Sequence, residues 1–393
     1  MKKIISLLIP IMIAVLVTVA VNSFLDKKIE VLTKQKDISV MGKKFSDFVK
    51  DKSSLDKKLL SDKGDLFLLA SSEMSIKVPQ NPLKLFPIKG ENYDLSGFGR
   101  AFSQSLQQAN YLGGADINDN QKVAYVLSIQ WFEKQNELDP ASFVANFSEV
   151  QFYKFLNNPK ISENNKRYYA DRVYNFLTKA KKYSPEAYYA KLYLDSSKFS
   201  TFQKAAFKPY YEMKQYLLDV QDKALIYEEL KDLPNIADKK QPKEINWDEE
   251  YKKIENENEK LISTNELKLE DNYYKEYLGS TVSKHKGECK SDDLLSAKEM
   301  DDYKFFLSVC KDLNIKPYII LQPANGWYAD YEELSKDARQ NYYEEIKKLS
   351  KDSGFEVLDL SQYEYKQYFL FDTQHFGKEG WLKVDEEIYK HFK

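Results

Sequence analysis

The chain has 393 residues, and 31% of them are charged, yet 59 Lys and Arg against 61 Asp and Glu leave a net charge of −2. That length is ample for a large buried core, and the near-cancelling charge excludes bulk nucleic-acid binding. The two cysteines, Cys289 and Cys310, have neither metal-knuckle nor CxxC spacing, and nothing in the sequence calls for a metal or a cofactor.

Met1 to Lys3 form a short basic tail. Ile4 to Leu25 follow, 22 residues almost without charge. As a helix at about 1.5 Å per residue they reach about 33 Å, enough for a hydrocarbon core of about 30 Å. Thr18-Val19-Ala20 is a poor cleavage site, so residues 4–25 are expected to remain as one transmembrane anchor. Residues 26 onward are expected outside the cell, because long domains are translocated largely regardless of flanking charge. Residues 26–62, rich in Lys, Asp and Ser, read as a stalk with one or two helical turns.

A domain is expected over 63–393. Leu66-Phe67-Leu68-Leu69 is a short continuous apolar run, the pattern of a buried parallel strand, and it leads into Ala70-Ser71-Ser72-Glu73-Met74. Tyr93 to Arg100 is rich in turn formers, and Phe102 to Ala109 reads as a helix. Lys122 to Phe132 contains a second buried strand. From about 140 to 290 the chain carries almost no glycine and many aromatics at helical spacing, which predicts a helical insertion. Within it Phe207 to Leu230 is a long helix broken near Pro209, and Asp238 to Glu259 is charge-dense and exposed or mobile. Helices at Ser296–Leu313, Leu334–Asp352 and Lys378–His391 then alternate with strands at Pro317–Leu321 and Phe355–Leu358. The fold class is α/β, a parallel sheet covered on both faces. Cys310 lies in the apolar helical pattern of Phe305, Phe306, Val309 and Leu313. It is either a buried thiol or, outside the cell, a partner for Cys289.

Ligands and nucleophiles sit at the carboxyl ends of parallel strands. A serine there is reactive only if an imidazole takes its proton and a carboxylate fixes the tautomer. Of the three histidines, His375 has suitable neighbours, in Asp372-Thr373-Gln374-His375-Phe376-Gly377. Ser72, His375 and Asp372 are therefore the expected catalytic group. The Ser72 N–H, the Gly97/Gly99 turn and the Asn325 side chain, which follows the Pro317–Leu321 strand, are candidate donors to an oxyanion or substrate. Read singly, Ser71-Ser72 is also an ordinary helix cap, and DxxH is a common tetrapeptide pattern. Ala70 and Met74 rule out the G-x-S-x-G elbow.

The order of these elements is similar to that of the SGNH/GDSL hydrolase superfamily. More closely, the chain resembles the DltD family of lipoteichoic acid D-alanylation. The residues that carry this are Ser71-Ser72-Glu73 after an apolar strand, Gly99-Arg100 with Phe102-Ser103-Gln104-Ser105-Leu106, Pro323-x-Asn325 with Trp327-Tyr328-x-Asp330-Tyr331, and Asp372-x-x-His375-x-Gly377-x-x-Gly380-Trp381. Ala70 departs from the glycine usual before the two serines. The resemblance implies an SGNH-hydrolase-like three-layer domain behind one membrane helix. It also implies transfer of D-alanine to lipoteichoic acid, with the acyltransferase DltB and the carrier DltC as partners. Two other readings use the same residues differently: a cell-envelope esterase or deacetylase with water as acceptor, and a non-catalytic scaffold that docks the polymer.

Overall fold

The structure, a computed structural model, describes residues 2–393 apart from 136 and 240; the side chains of residues 2–8, 10, 11, 134 and 135 also lie outside that description. Five strands form one all-parallel sheet in the order β2-β1-β3-β4-β5. They are β1 (Leu66–Leu69), β2 (Leu95–Phe98), β3 (Val123–Leu127), β4 (Tyr318–Leu321) and β5 (Val357–Asp359). The longer helices are α1 (Lys2–Gln35), α2 (Ser105–Gly113), α3 (Glu149–Asn157), α4 (Glu163–Ala180), α5 (Ser184–Leu194), α6 (Lys198–Lys231), α7 (Trp247–Asn258), α8 (Lys298–Asp312), α9 (Lys336–Asp352) and α10 (Lys378–Phe392).

The period-two alternation of a strand divides its side chains between two cores. Phe67, Leu69, Val123, Tyr125, Leu127, Ile319 and Leu321 point into the larger one, built with α2, α8 and α9. Leu66, Leu68, Ala124, Val126 and Ile320 point into the other, against Trp381, Val384 and Ile388 of α10. The parallel sheet covered on both faces, expected from the strand–helix rhythm, is thus present. All the labelled elements between β3 and β4 are helices, α3 to α8.

Several expectations change. β2 runs through a segment that looked like a turn. Its Gly97 is demanded by packing, since a Cβ there would lie 2.6 Å from Leu83 and 2.8 Å from the Met74 sulfur. The strand expected within Lys122–Phe132 ends at Leu127, and a 3₁₀ run begins at Ile129. α6 is one continuous 34-residue helix through Pro209. Ala205, whose carbonyl loses its donor there, lies on an exposed stretch of the helix. Cys289 and Cys310 are both buried, and no disulfide joins them. In the charge-dense stretch 238–259, α7 docks on α10: Ile254 is buried and the Tyr251 hydroxyl donates to Glu386 at 2.9 Å.

The larger change lies in the expected stalk. Its second half is part of the core. Lys50, Asp51, Asp56 and Lys57 are at most 2% exposed. The Lys57 ammonium donates to the carbonyls of Lys50, Asp51 and Ser53 at 3.1, 3.1 and 2.8 Å and reaches Asp56 at 3.4 Å. Lys50 pairs with Asp51 at 2.6 Å and donates to the carbonyl of Gly97 in β2. Both ammonium groups lie over the Phe98 ring, at 4.8 and 4.7 Å. Buried charge persists only when paired and hydrogen-bonded, and here each cation has such partners.

The anchor expected over residues 4–25 falls on α1. The side chains of residues 4–8, 10 and 11 lie outside the described residues, and among the described residues no helix is long and apolar enough to cross a membrane. Ile9, Met12, Ile13, Val15, Leu16, Val17, Val19 and Val21 are exposed, whereas Leu25 and Ile29 are buried.

Candidate functional site

The carboxyl ends of β1, β3 and β4 converge with the turn that precedes α10. In the strand order found here the chain reverses its winding between β1 and β3, the place where such sheets bind ligands. Ser72 opens a 3₁₀ turn directly after β1. Its hydroxyl lies 3.0 Å from Nε2 of His375, and Nδ1 of His375 lies 2.8 Å from Oδ2 of Asp372. Serine and histidine, 303 positions apart, thus meet at hydrogen-bond distance.

Ser71 is occupied otherwise. Its hydroxyl donates to the Arg100 carbonyl at 2.9 Å, and it is 1% exposed. The orientation of the Asp–His turn is over-determined. Oδ1 of Asp372 accepts the N–H groups of Gln374 and His375, each at 2.8 Å. Phe371 N–H closes the turn on the His375 carbonyl at 2.7 Å. Gln322, just beyond β4, donates its amide to the Gln374 carbonyl. With Oδ1 so engaged, Oδ2 is left to accept the Nδ1–H of the imidazole, which exposes an unprotonated Nε2 to Ser72.

The candidate donors divide. Gly99 has φ +146, and a Cβ on it would lie 1.7 Å from the Ala70 carbonyl oxygen. Only glycine lets the chain cross so close beneath the serine turn. Ala70 itself fits: its N–H donates to Phe98 and its carbonyl accepts from Gln108 of α2 at 2.6 Å. Asn325 sits on the rim, but its carbonyl oxygen caps the following short helix at Tyr328 N–H, and its amide donates to the Asp372 carbonyl at 3.4 Å. The structure thus ties Asn325 to the Asp–His turn.

Sequence reasoning gave no role to Glu73, Gln130, Gln322 or Tyr273. Glu73 is fully buried; its carboxylate accepts the Ser71 N–H at 2.7 Å and faces Gln130 at 3.4 Å. Its place beside Ser72 was the available signal. Tyr273, from the insertion, approaches Oδ2 of Asp372 at 3.5 Å and packs its ring edge-on against Phe371 at 5.2 Å. Nothing in the sequence marks it.

Burial works against a charged His375, but the hydrogen bond and charge of Asp372, aided by the charge of Glu73, outweigh it and raise the imidazole pKa above 6.5. Burial likewise pushes the Glu73 carboxyl up, against the N–H donors of Glu73 itself and Ser71 and the charge of His375. A general base must be neutral to act. Reaction of Ser72 with a fluorophosphonate is therefore expected to fall on the acid side along a limb centred above pH 6.5. Glu73→Gln removes a charge that favours imidazolium, so it should move that limb to lower pH. The inactivation rate measured across pH is the check, and an unmoved limb would remove Glu73 from the electrostatics of His375.

Two sets of side chains bring metal-type donor atoms within 4.8 Å of one another: Glu133, Cys289 and Glu332, and His285, Glu288 and Glu332. Glu133 and Glu332 also line the cleft that Gln130, Asn325, Thr373 and Gln374 border. Among the described residues these are the two sets whose spacing would suit a metal ion.

Fold and geometry together define a parallel α/β protein with a serine–histidine–aspartate array at the carboxyl edge of its sheet. The chain belongs to the DltD family, whose protein profile matches residues 42–393. Protein DltD of Bacillus subtilis (strain 168) is 28% identical over 341 residues, covering 86% of this chain and 85% of the relative. Protein DltD of Staphylococcus aureus (strain NCTC 8325 / PS 47) is 24% identical over 327 residues, 83% of this chain and 80% of the relative. Protein DltD of Lacticaseibacillus rhamnosus is 25% identical over 328 residues, 81% and 75% respectively.

Proposed function

We propose that this chain transfers D-alanyl groups to lipoteichoic acid, with Ser72 as nucleophile, His375 as base and Asp372 as the carboxylate that orients it. The observation carrying this reading is the continuous line Oδ2···Nδ1 at 2.8 Å and Nε2···Oγ at 3.0 Å in a member of the DltD family. Nε2 takes the Ser72 proton as Oγ attacks the D-alanyl carbonyl. The leaving group departs with that proton, and a D-alanyl ester remains on Ser72. A polymer hydroxyl then gives its proton to Nε2 and displaces the serine, forming the product ester and restoring the Ser72 hydroxyl. Oxyanion donors come from the Ser72 N–H and the Gly99 region, with Asn325 steadying the Asp–His turn.

On this reading the domain works at the outer face of the cell membrane in an SGNH-hydrolase-like fold. Residues 4–25 hold it there by contact with membrane lipid, the acyltransferase DltB and carrier DltC supply D-alanine, and lipoteichoic acid is the acceptor. The exposed apolar side chains along α1 support the anchor. The test is D-alanine ester on lipoteichoic acid in cells carrying single variants at wild-type abundance. Ser72→Ala is expected to abolish it and Ser71→Ala to leave a measurable fraction. Full ester content with Ser72→Ala would establish the scaffold reading instead.

A further inference from the structure

The amino-terminal half of α6 carries a row of apolar side chains that the body of the protein does not cover. Phe199, Phe202, Ala206, Tyr210, Met213 and Leu217 recur at intervals of three and four, so they share one helix face. All six are exposed, and Phe199 and Phe202 are 70% exposed. Lys204 and Lys208 lie on the opposite side of the helix, where Lys204 donates to the Asp195 carbonyl at 3.0 Å and Lys208 faces Glu212 at 3.7 Å; Glu212 is the only acid between 198 and 217. An exposed apolar helix face rich in aromatic rings, with little acid beside it, is the kind of surface that lipid covers.

The position of this row has an independent argument. α1 and α6 lie side by side: Lys223 bonds Asn22 at 2.8 Å and pairs with Asp26 at 2.5 Å, Phe24 meets Tyr227 at 6.2 Å, and Asp37 N–H donates to the Pro234 carbonyl at 2.9 Å. The numbers rise together along both helices, so the helices run the same way. Their amino-terminal halves leave the contact on the same side. One is the exposed apolar stretch of α1 from Ile9 to Val21, and the other is the aromatic row.

We propose that the Phe199–Leu217 face of α6 is a membrane-contact surface, with its rings set into lipid beside α1. The assignment rests on the anchor reading for residues 4–25, and the experiment separates the two. Cys289 and Cys310 are buried, so single exposed cysteines can be labelled selectively in the full chain. Phe202→Cys, Phe199→Cys, Ile13→Cys and, as a control on α9, Lys348→Cys are each coupled to an environment-sensitive nitrobenzoxadiazole dye. They are reconstituted in nanodiscs of phosphatidylglycerol and phosphatidylcholine, with or without doxyl-labelled lipid.

Probes at 199 and 202 are expected to show a severalfold rise and blue shift in emission, and loss of that emission with doxyl lipid. The Lys348→Cys probe should stay water-like throughout. A water-like signal at both 199 and 202 beside an embedded Ile13 probe overturns the proposal and leaves the anchor standing. Lipid quenching at 202 without quenching at 13 supports the surface and overturns the anchor. Shielding of 202 only after a membrane acyltransferase is added, without lipid quenching, assigns the face to a protein and overturns the proposal.

Discussion

Replacing Ser72 or His375 by alanine is expected to lower D-alanyl transfer by on the order of 10⁴-fold or more, and replacing both should cost about as much as either alone. The reason is geometric. The Nε2···Oγ contact of 3.0 Å is the only described path by which the hydroxyl loses its proton to an imidazole, so either change removes the same step. Asp372→Asn acts differently. Oδ1 accepts two backbone N–H groups, which holds the asparagine oxygen in that place and turns its amide nitrogen toward Nδ1. Nδ1 then has to accept, the ring proton moves to Nε2, and the base points a proton at the serine. A loss on the order of 10⁴-fold follows, no larger than for Ser72→Ala, with the fold intact. Transfer rates of the four variants, each with a thermal melt, decide the matter. Additive losses for the Ser72/His375 pair would mean that the two residues do not act as a unit.

The second large effect is on stability. Lys57→Ala leaves Asp56 and three backbone carbonyls without their cation in a place with no access to water. Breaking a buried pair from one side costs roughly 3–5 kcal/mol, and the melting temperature should fall by several degrees. Lys57→Met restores volume but no donor, so it should recover little of the loss. Near-complete recovery with Met would mean that packing over Phe98 and Tyr111, at 4.7 and 5.0 Å, matters more than the charge. The same cluster reaches β2 through Lys50 and the Gly97 carbonyl, so the variant should also loosen the chain around Gly99.

The same cluster explains why part of the fold was illegible in the sequence. Lys50, Asp51, Asp56 and Lys57 look like solvated residues because composition carries no information about pairing. β2 was hidden for a related reason: its Ser and Gly serve close approach to neighbours, and a single chain does not name those neighbours. β1, β3 and β4 were legible because strands buried on both faces read as unbroken apolar runs. At the site, Ser72, Asp372 and His375 were legible because the chemistry demands those residue types after strands and in turns. Glu73, Gln322 and Tyr273 act by holding or polarising other groups, and such roles are set by distances across the fold. Pro209 misled because the Ala205 carbonyl it leaves without a donor lies on an exposed stretch of α6, where water takes the donor's place.

The length of chain between serine and histidine has a consequence for folding. A loop of about three hundred residues separates the two halves of the site, and α2 to α9 lie within it. No local segment holds the geometry, since β1 positions the hydroxyl and the turn before α10 positions the imidazole. The loop must close at an entropic cost that only the assembled sheet repays. Reactivity at Ser72 therefore reports on cooperative folding of the whole domain. In a denaturant titration it should vanish in step with the loss of tertiary structure, and a fragment that retains helix content without the sheet should be inert.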